Sequence, residues 1–301
     1  GERAGGRRAG VGGSAGEAVV NAGAQPAESA CGAAPGRAAW RQVWASRTAR
    51  ACLAVLAVFF LVALGAEIAH DWYAWRDVTP PWQAQDLAAR YQAPSAAHWL
   101  GTDGLGRDVG LRLAQGARIA FQVGVVSSLI AIPIGVLLGC LGGYFGGKTD
   151  DLVVWISTTF ASIPGLLFVL AIAMVVGKGL FGVFMAIGLT TWVGVCRLIR
   201  AEVLKQKSRG YVRAARALGF SPGRILFRHI LPNVIHVAVV SFTLRFPAAI
   251  GTEVFLSFLG IGAQGQPSWG AMIASARLRL WQGVWWELAA VTAAIFAVVL
   301  A

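Results

Sequence analysis

Apolar residues along this chain fall in runs too long for the core of a water-soluble domain. Ile119–Gly147 holds 29 residues without a charged side chain, Leu152–Gly177 holds 26 and Gly179–Cys196 holds 18. About 20 apolar residues in helical form cross the hydrocarbon core of a bilayer. Only a helix lets such a run satisfy its own backbone polar groups there. The pattern predicts six spans, at about 51–69, 118–141, 152–176, 180–198, 233–258 and 285–301. Pro232 and Pro247 are expected to bend or interrupt the fifth, because proline lacks the N–H of a helical bond. The sixth offers roughly 25 Å of helix at about 1.5 Å per residue, short of a full crossing. It is expected to be truncated, or completed by residues beyond Ala301.

Two polar segments separate these runs. Residues 70–117 carry Trp72, Trp75, Trp82, Trp99 and the turn pair Pro80-Pro81, and residues 260–284 form the second. Aromatic residues near span ends suit the membrane interface. Residues 1–40 are rich in Gly, Ala and Arg, with no apolar period and no signal-peptide core, and read as a disordered cytoplasmic tail. The division expected is therefore a tail (1–40), a first span with an outer segment (41–117), and a core of five spans (118–301). The fold class is all-α, a polytopic membrane bundle.

Composition agrees. Hydrophobic residues make up 56% of the chain and charged residues 13%, about half the share usual in soluble domains. The net charge of +12 would suit a polyanion partner if it were spread over one face. Instead, nine Lys or Arg against one acid, Glu202, lie between 197 and 228. That asymmetry reads as the positive-inside rule, which sets orientation and needs no nucleic acid. It places the N-terminus and 199–229 in the cytoplasm, and 70–117 and 260–284 outside. Cys31, Cys52, Cys140 and Cys196 have no metal-ligand spacing and read as small packing residues.

Residues 209–233, RGYVRAARALGFSPGRILFRHILPN, are the exception between the spans, with five arginines. Tyr211, Ala214, Ala215 and Leu218 fall at i, i+3, i+4 and i+7, one face of a short amphipathic helix. Arg213 and Arg216 take another face. Gly219 supplies a left-handed stop, and Ser221 and Pro222 read as the N-cap and first residue of a new helix. A small-residue helical knob of this kind is suited to being gripped by another protein.

The segment resembles the EAA loop of bacterial ABC importer permeases: Glu-Ala-Ala, three residues, Gly, nine residues, then Ile-x-Leu-Pro. Ala214, Ala215, Gly219, Leu231 and Pro232 fall in register, while Arg213 replaces the Glu and His229 the Ile. HWLGTDGLGRDV (98–109), GARI (116–119), GGYFGG (142–147), SIPGLL (162–167), FLSFLGIG (255–262) and PSWG (267–270) resemble the C-type permease subunits of dipeptide and oligopeptide importers. The likeness covers about residues 85–301. It implies a type I, MetI-like permease fold with a coupling helix at about 205–222. Tyr211, Ala214, Ala215, Leu218, Gly219, Leu231 and Pro232 would then couple to the ATPase. The implied partners are a second homologous permease, two cytoplasmic ATP-binding subunits, an outer substrate-binding protein, a peptide substrate and membrane lipid. Nickel, glutathione or antimicrobial-peptide cargo falls within the same resemblance.

Several features carry other expectations. Gly142–Thr149 fits the phosphate-loop pattern G-x-x-x-x-G-K-[ST]. That loop needs a strand before it and a soluble α/β sheet around it, so here it reads as a Gly-rich hairpin between spans, and ATP hydrolysis is expected on another chain. No catalytic constellation, cofactor site or metal site is apparent, and His229 and His236, seven residues apart, make a poor metal pair. Ionisable residues within spans are functional candidates. Glu67 lies near the outer end of span one. Arg245, near mid-span, is expected to face the pathway or the partner permease. Glu253 lies near an outer end, where reaching water is cheap, with an interfacial or pathway role. Gly135, Gly139, Gly142 and Gly143 put small residues on one side of span two, which permits close helix contact without saying which helix is the neighbour. The rival classes are an ion-coupled secondary transporter, which usually shows midplane ion ligands and inverted repeats, and a membrane enzyme.

Overall fold

The computed structural model describes residues 44–263 and 265–301, so the expected tail 1–40 and Cys31 lie outside the described residues. The chain divides into two units, 1–51 and 52–301. Of the first, the described residues include Ser46, whose hydroxyl accepts from the Ala49 N–H at 3.2 Å. Among the described residues the α-helices are, in order, α1 (Arg47–Arg76), α2 (Val109–Phe145), α3 (Gly147–Ser162), α4 (Gly165–Val176), α5 (Leu180–Lys207), α6 (Gly210–Ala217), α7 (Pro222–Ile225), α8 (Leu231–Phe258), α9 (Trp269–Ala276) and α10 (Trp286–Leu300). Among the described residues there is no strand, only an isolated antiparallel bridge between Thr102 and Asp108. Among the described residues four helical stretches are long and apolar enough to cross a membrane: α1, α2, α5 and Pro222–Phe258. The pair α3–α4 makes a fifth if counted as one broken span, and α10 is a shorter apolar helix.

The third expected span is not continuous. It breaks between α3 and α4 with a bend of 92°. Pro164 causes the break: it cannot donate to the preceding turn, and it pushes Ile163 into the extended region at φ −84°, ψ 131°. Pro247, by contrast, sits inside an unbroken α8, and Pro232 directly follows a π-helical turn, Leu226–Ile230, within the continuous stretch Pro222–Phe258. Span two starts earlier than its apolar run, because Asp108 caps α2 by accepting from the Leu111 N–H at 2.9 Å.

Helix α2 runs parallel to α5, and their contact is built on glycine. A Cβ on Gly135 would stand 2.6 Å from Val195 Cβ, one on Gly139 2.7 Å from the Cys196 carbonyl oxygen, and one on Gly143 2.9 Å from the Arg200 oxygen. The small-residue stripe of span two therefore faces α5. Cys140 and Cys196 are buried thiols in this seam. Gly146, at φ +71°, turns the chain from α2 into α3. Gly142–Phe145 form the last turn of α2, so the apparent phosphate loop is a helix–glycine–helix corner, not the expected hairpin. Helix α8 packs back across α2, with Phe246 against Gly124 and Ile250 beside Ala117 and Ala120.

Candidate functional site

Helix α6 lies just past the C-terminal end of α5. Its C-terminus closes in a Schellman motif: the Phe220 N–H reaches the Ala215 carbonyl at 3.1 Å and the Gly219 N–H reaches Arg216 at 2.9 Å. Gly219 stands at φ +77°, where a Cβ would be strained. Ser221 caps α7, accepting from the Arg224 N–H at 3.4 Å, with Pro222 as first residue.

The buried stripe of α6 is Val212 and Ala215, at 0% and 5% exposure. Both pack with Tyr144, Val203, Ile225, Leu226 and Ile230. The expected face of Tyr211, Ala214, Ala215 and Leu218 is thus divided. Ala215 belongs to the chain's own core, not to a surface offered to a partner. Tyr211, Ala214, Leu218 and Gly219 are exposed, Leu218 at 73%. Pro232 is exposed and Leu231 is half-buried against the same core. The sequence signal that could have set the phase is Val212, the one branched aliphatic in an octad of Gly, Tyr, Arg and Ala.

Several contacts hold α6 in place. The Tyr211 hydroxyl donates to Gln206 Oε1 at 3.0 Å, and Asn233 Nδ2 donates to the Tyr211 oxygen at 3.4 Å. Tyr144 presents its ring to the Arg216 guanidinium at 5.7 Å and to Lys207 at 5.9 Å. Below it, Arg200 on α5 grips Asp150 on α3 through two bonds of 2.5 and 2.6 Å, the bidentate geometry that gives such pairs their specificity. His229 stacks on Phe220 with centroids 5.8 Å apart. His229 is therefore a packing residue in this corner. Among the described residues, no group of three or more His, Cys, Asp or Glu is placed to hold a metal.

At the opposite end of α2, residues 89–112 form a polar knot that sequence reasoning did not resolve. Asp103 accepts from the Leu105 and Arg107 N–H groups at 2.8 and 3.0 Å and from Arg107 Nε at 2.8 Å. Thr102 donates to the Ala89 carbonyl at 2.5 Å and accepts from the Gln92 N–H at 2.8 Å. His98 pairs with Asp108 at 2.8 Å. The knot is tied to the segment after α8. Trp286 Nε1 donates to the Thr102 carbonyl at 3.2 Å, and Arg279 Nε to the Tyr91 hydroxyl at 2.9 Å. Trp269, fully buried, donates to the Leu113 carbonyl at 3.0 Å, and only a glycine at 116 leaves room for its ring. These are structural roles for the motifs at 98–109, 116–119 and 267–270.

The candidate pathway residues make their contacts within this chain, and Glu253 does not reach water as expected. Arg245 is half-buried and spends both terminal nitrogens on Thr191 of α5, one on its carbonyl oxygen at 2.5 Å and one on its hydroxyl. Within this chain it clamps α5 to α8. Glu253, expected near water, is 1% exposed and accepts from the Ser257 hydroxyl at 2.6 Å, with the Ser268 hydroxyl as a second partner. It pins α8 to the start of α9. Glu67 on α1 accepts from Gln122 Nε2 at 2.6 Å and lies 3.7 Å from Arg118.

The clamp has a measurable consequence. In a double-mutant cycle, Arg245→Leu and Thr191→Val should couple by about 0.6 kcal/mol and by no more than ~1.7 kcal/mol, the range of hydrogen bonds between membrane helices. Unfolding in detergent micelles measures it, and additive effects would remove the clamp.

Fold and contacts together define an integral membrane protein of packed helices, with a short amphipathic helix fixed at one end and a polar knot at the other. Residues 131–301 match the model of the family described as binding-protein-dependent transport system inner membrane component. The dipeptide transport system permease protein DppC of Bacillus subtilis is 38% identical over 251 residues, 83% of this chain and 76% of that protein. The oligopeptide permease OppC of the same organism is 42% identical over 180 residues, 60% of this chain and 59% of its own. The glutathione permease GsiD of Pectobacterium atrosepticum is 38% identical over 245 residues, 80% and 79% of the two chains. This chain belongs to the family of binding-protein-dependent transport system inner membrane components, and is similar to its peptide permeases, as the motifs between 98 and 270 imply.

Proposed function

We propose that this chain is a permease subunit of an ATP-driven ABC importer for dipeptides or oligopeptides. The carrying observation is its similarity to DppC across most of the chain, 38% over 251 residues. The geometry supplies what that role requires. Helix α6 is anchored by Val212 and Ala215 and turns Tyr211, Ala214 and Leu218 outward as a coupling surface. Gly219 and Pro232 border that surface, and Leu231 supports it from the core.

In this reading, two cytoplasmic ATP-binding subunits grip the coupling helices of this chain and of a second permease. Closing of the ATPase pair moves those helices, and the bundles switch which side is open, a rigid-body change driven by contacts that differ between two states. The Asp150–Arg200 pair and Tyr144 would pass motion of α6 to the α2–α3 corner. An outer binding protein delivers the cargo. The test is a reconstituted complex of both permeases, both ATPases and the binding protein in proteoliposomes. Peptide-loaded binding protein should stimulate ATP hydrolysis and uptake of labelled dipeptide. Uptake of glutathione alone would reassign the cargo, and gradient-driven uptake without ATPases would make the chain a secondary transporter.

Charge bias assigns the sides: the N-terminus and 199–229 in the cytoplasm of a bacterial inner membrane, and 70–117 and 260–284 outside. Ser95, Ser208 and Trp281 are exposed positions on these segments. In a cysteine-free background, Ser95→Cys and Trp281→Cys should react with an impermeant thiol reagent in intact cells. Ser208→Cys should react only after permeabilisation, and the reverse pattern would invert the map.

A further inference from the structure

Beside the polar knot lies a cavity of about 300 Å³ that the coupling mechanism does not use. Arg107 lines it from just before α2 and Arg112 from the first turn of α2, Gln83 from the segment after α1, Gln266 from the segment after α8 and Ala271 from α9. Among the described residues no Asp or Glu lines it. The acids behind its walls are each paired with an arginine, although Glu287 Oε2, like Arg112 Nε, makes no hydrogen bond. Asp103 accepts from two backbone N–H groups and from Arg107 Nε, and its Oδ2 is 3.5 Å from Arg112 Nε. Glu287 lies 3.9 Å from Arg279, and Glu67 3.7 Å from Arg118. Three arginines, 107, 112 and 279, therefore share two carboxylates, Asp103 and Glu287. Arg112 is 7% exposed, and its Nε has no hydrogen bond. Gln266 Oε1 accepts from Arg118 Nη2, which leaves the amide nitrogen as the end of Gln266 not committed to Arg118.

We propose that this cavity is a carboxylate subsite that takes the free C-terminal carboxylate of a short peptide. Two guanidiniums that share one carboxylate, on a cavity wall without an acid, suit an anion that accepts several hydrogen bonds, and a carboxylate does so in the plane a guanidinium offers. The volume is at the lower limit of ligand pockets, room for one or two residues rather than a folded partner. This rests on the peptide-importer reading and on the outward placement of 70–117 and 260–284.

The test uses the assembled permease–ATPase complex in nanodiscs without binding protein, titrated calorimetrically with dialanine and with its C-terminal amide. Dialanine should bind saturably and the amide at least ~10-fold more weakly, since removal of the charge removes the charge-assisted bonds. Arg107→Gln should abolish dialanine binding. Because Arg107 also holds the knot, Ala271→Leu is the second variant: it fills the cavity without touching a charge and should also abolish binding, with the melting temperature unchanged. Equal binding of acid and amide, no binding of either, or wild-type binding by Ala271→Leu overturns the subsite. If dialanine binds as expected but loaded binding protein never stimulates ATP hydrolysis, the import reading fails instead.

Discussion

Leu218→Asp is expected to uncouple ATP hydrolysis from transport while leaving the fold intact. Leu218 is 73% exposed and closes α6 as its C-cap residue, so its side chain contributes little to the chain's own core. On the coupling reading proposed above, this exposed leucine is an anchor for a partner pocket. Its replacement by a charge should cost about 2 kcal/mol or more of docking, roughly a 30-fold loss of ATPase affinity. The same substitution logic gives the opposite result three residues away. Ala215→Arg places a guanidinium in a site of 5% exposure among Tyr144, Val203 and Ile225. It should destabilise the chain by about 3 kcal/mol or more, through overpacking and an unpaired buried charge. Sedimentation of the complex and thermal melting of the permease separate the two. If Leu218→Asp melts early, or Ala215→Arg melts normally yet fails to dock, the phase assigned to α6 is wrong.

Gly139→Leu should prevent stable folding. The first added carbon already meets the Cys196 carbonyl oxygen at 2.7 Å and the Arg200 nitrogen at 3.0 Å, both backbone atoms that cannot swing aside. Helices α2 and α5 would have to separate along the seam that also holds Gly135 and Gly143. Loss of that contact exceeds the ~1–3 kcal/mol usual for overpacking, because membrane helices associate through close packing and not through water exclusion. Gly194→Ala, on the same α5, is the control. Nothing lies within 4 Å of the position where its Cβ would sit, and alanine is better than glycine in a helix interior by about 0.5–1 kcal/mol. Folded yield on size-exclusion chromatography should collapse for Gly139→Leu and hold for Gly194→Ala. Equal yields would show that the α2–α5 seam tolerates separation.

Much of the bundle was legible along the chain because bilayer-crossing segments must be apolar and internally hydrogen-bonded, a constraint written residue by residue. α1, α5 and α8 fall where the apolar pattern places spans one, four and five. The end of α6 was also local information: Gly219 adopts the left-handed conformation, and Ser221 and Pro222 begin the next helix. The break between α3 and α4 was written in the sequence as Ile163-Pro164, yet Pro247 sits in an unbroken helix. Proline alone does not say which outcome wins, because neighbouring helices can hold the turn that it weakens.

What the sequence by itself determined is the class: an all-helical membrane chain, the positions of its long unbroken spans, and the motifs that place it among transport permeases. Those properties depend on hydrophobicity and on short-range backbone chemistry. The tertiary structure decided the partners of each face. Small residues permit close contact with any helix, and only packing selected α5 as the neighbour of Gly135, Gly139 and Gly143. The phase of α6 turned on a single position, since a rotation of one residue, about 100°, moves Ala215 from a partner's pocket into the chain's own core. Arg245 and Glu253 look alike in sequence, each an isolated charge in an apolar helix. Which groups lie within reach from other elements made one a clamp on Thr191 and the other a buried pin on Ser268 at the start of α9. Burial and hydrogen bonding of charges depend on residues tens of positions away, 54 in the case of Arg245 and Thr191, and that distance is what a linear reading does not reach.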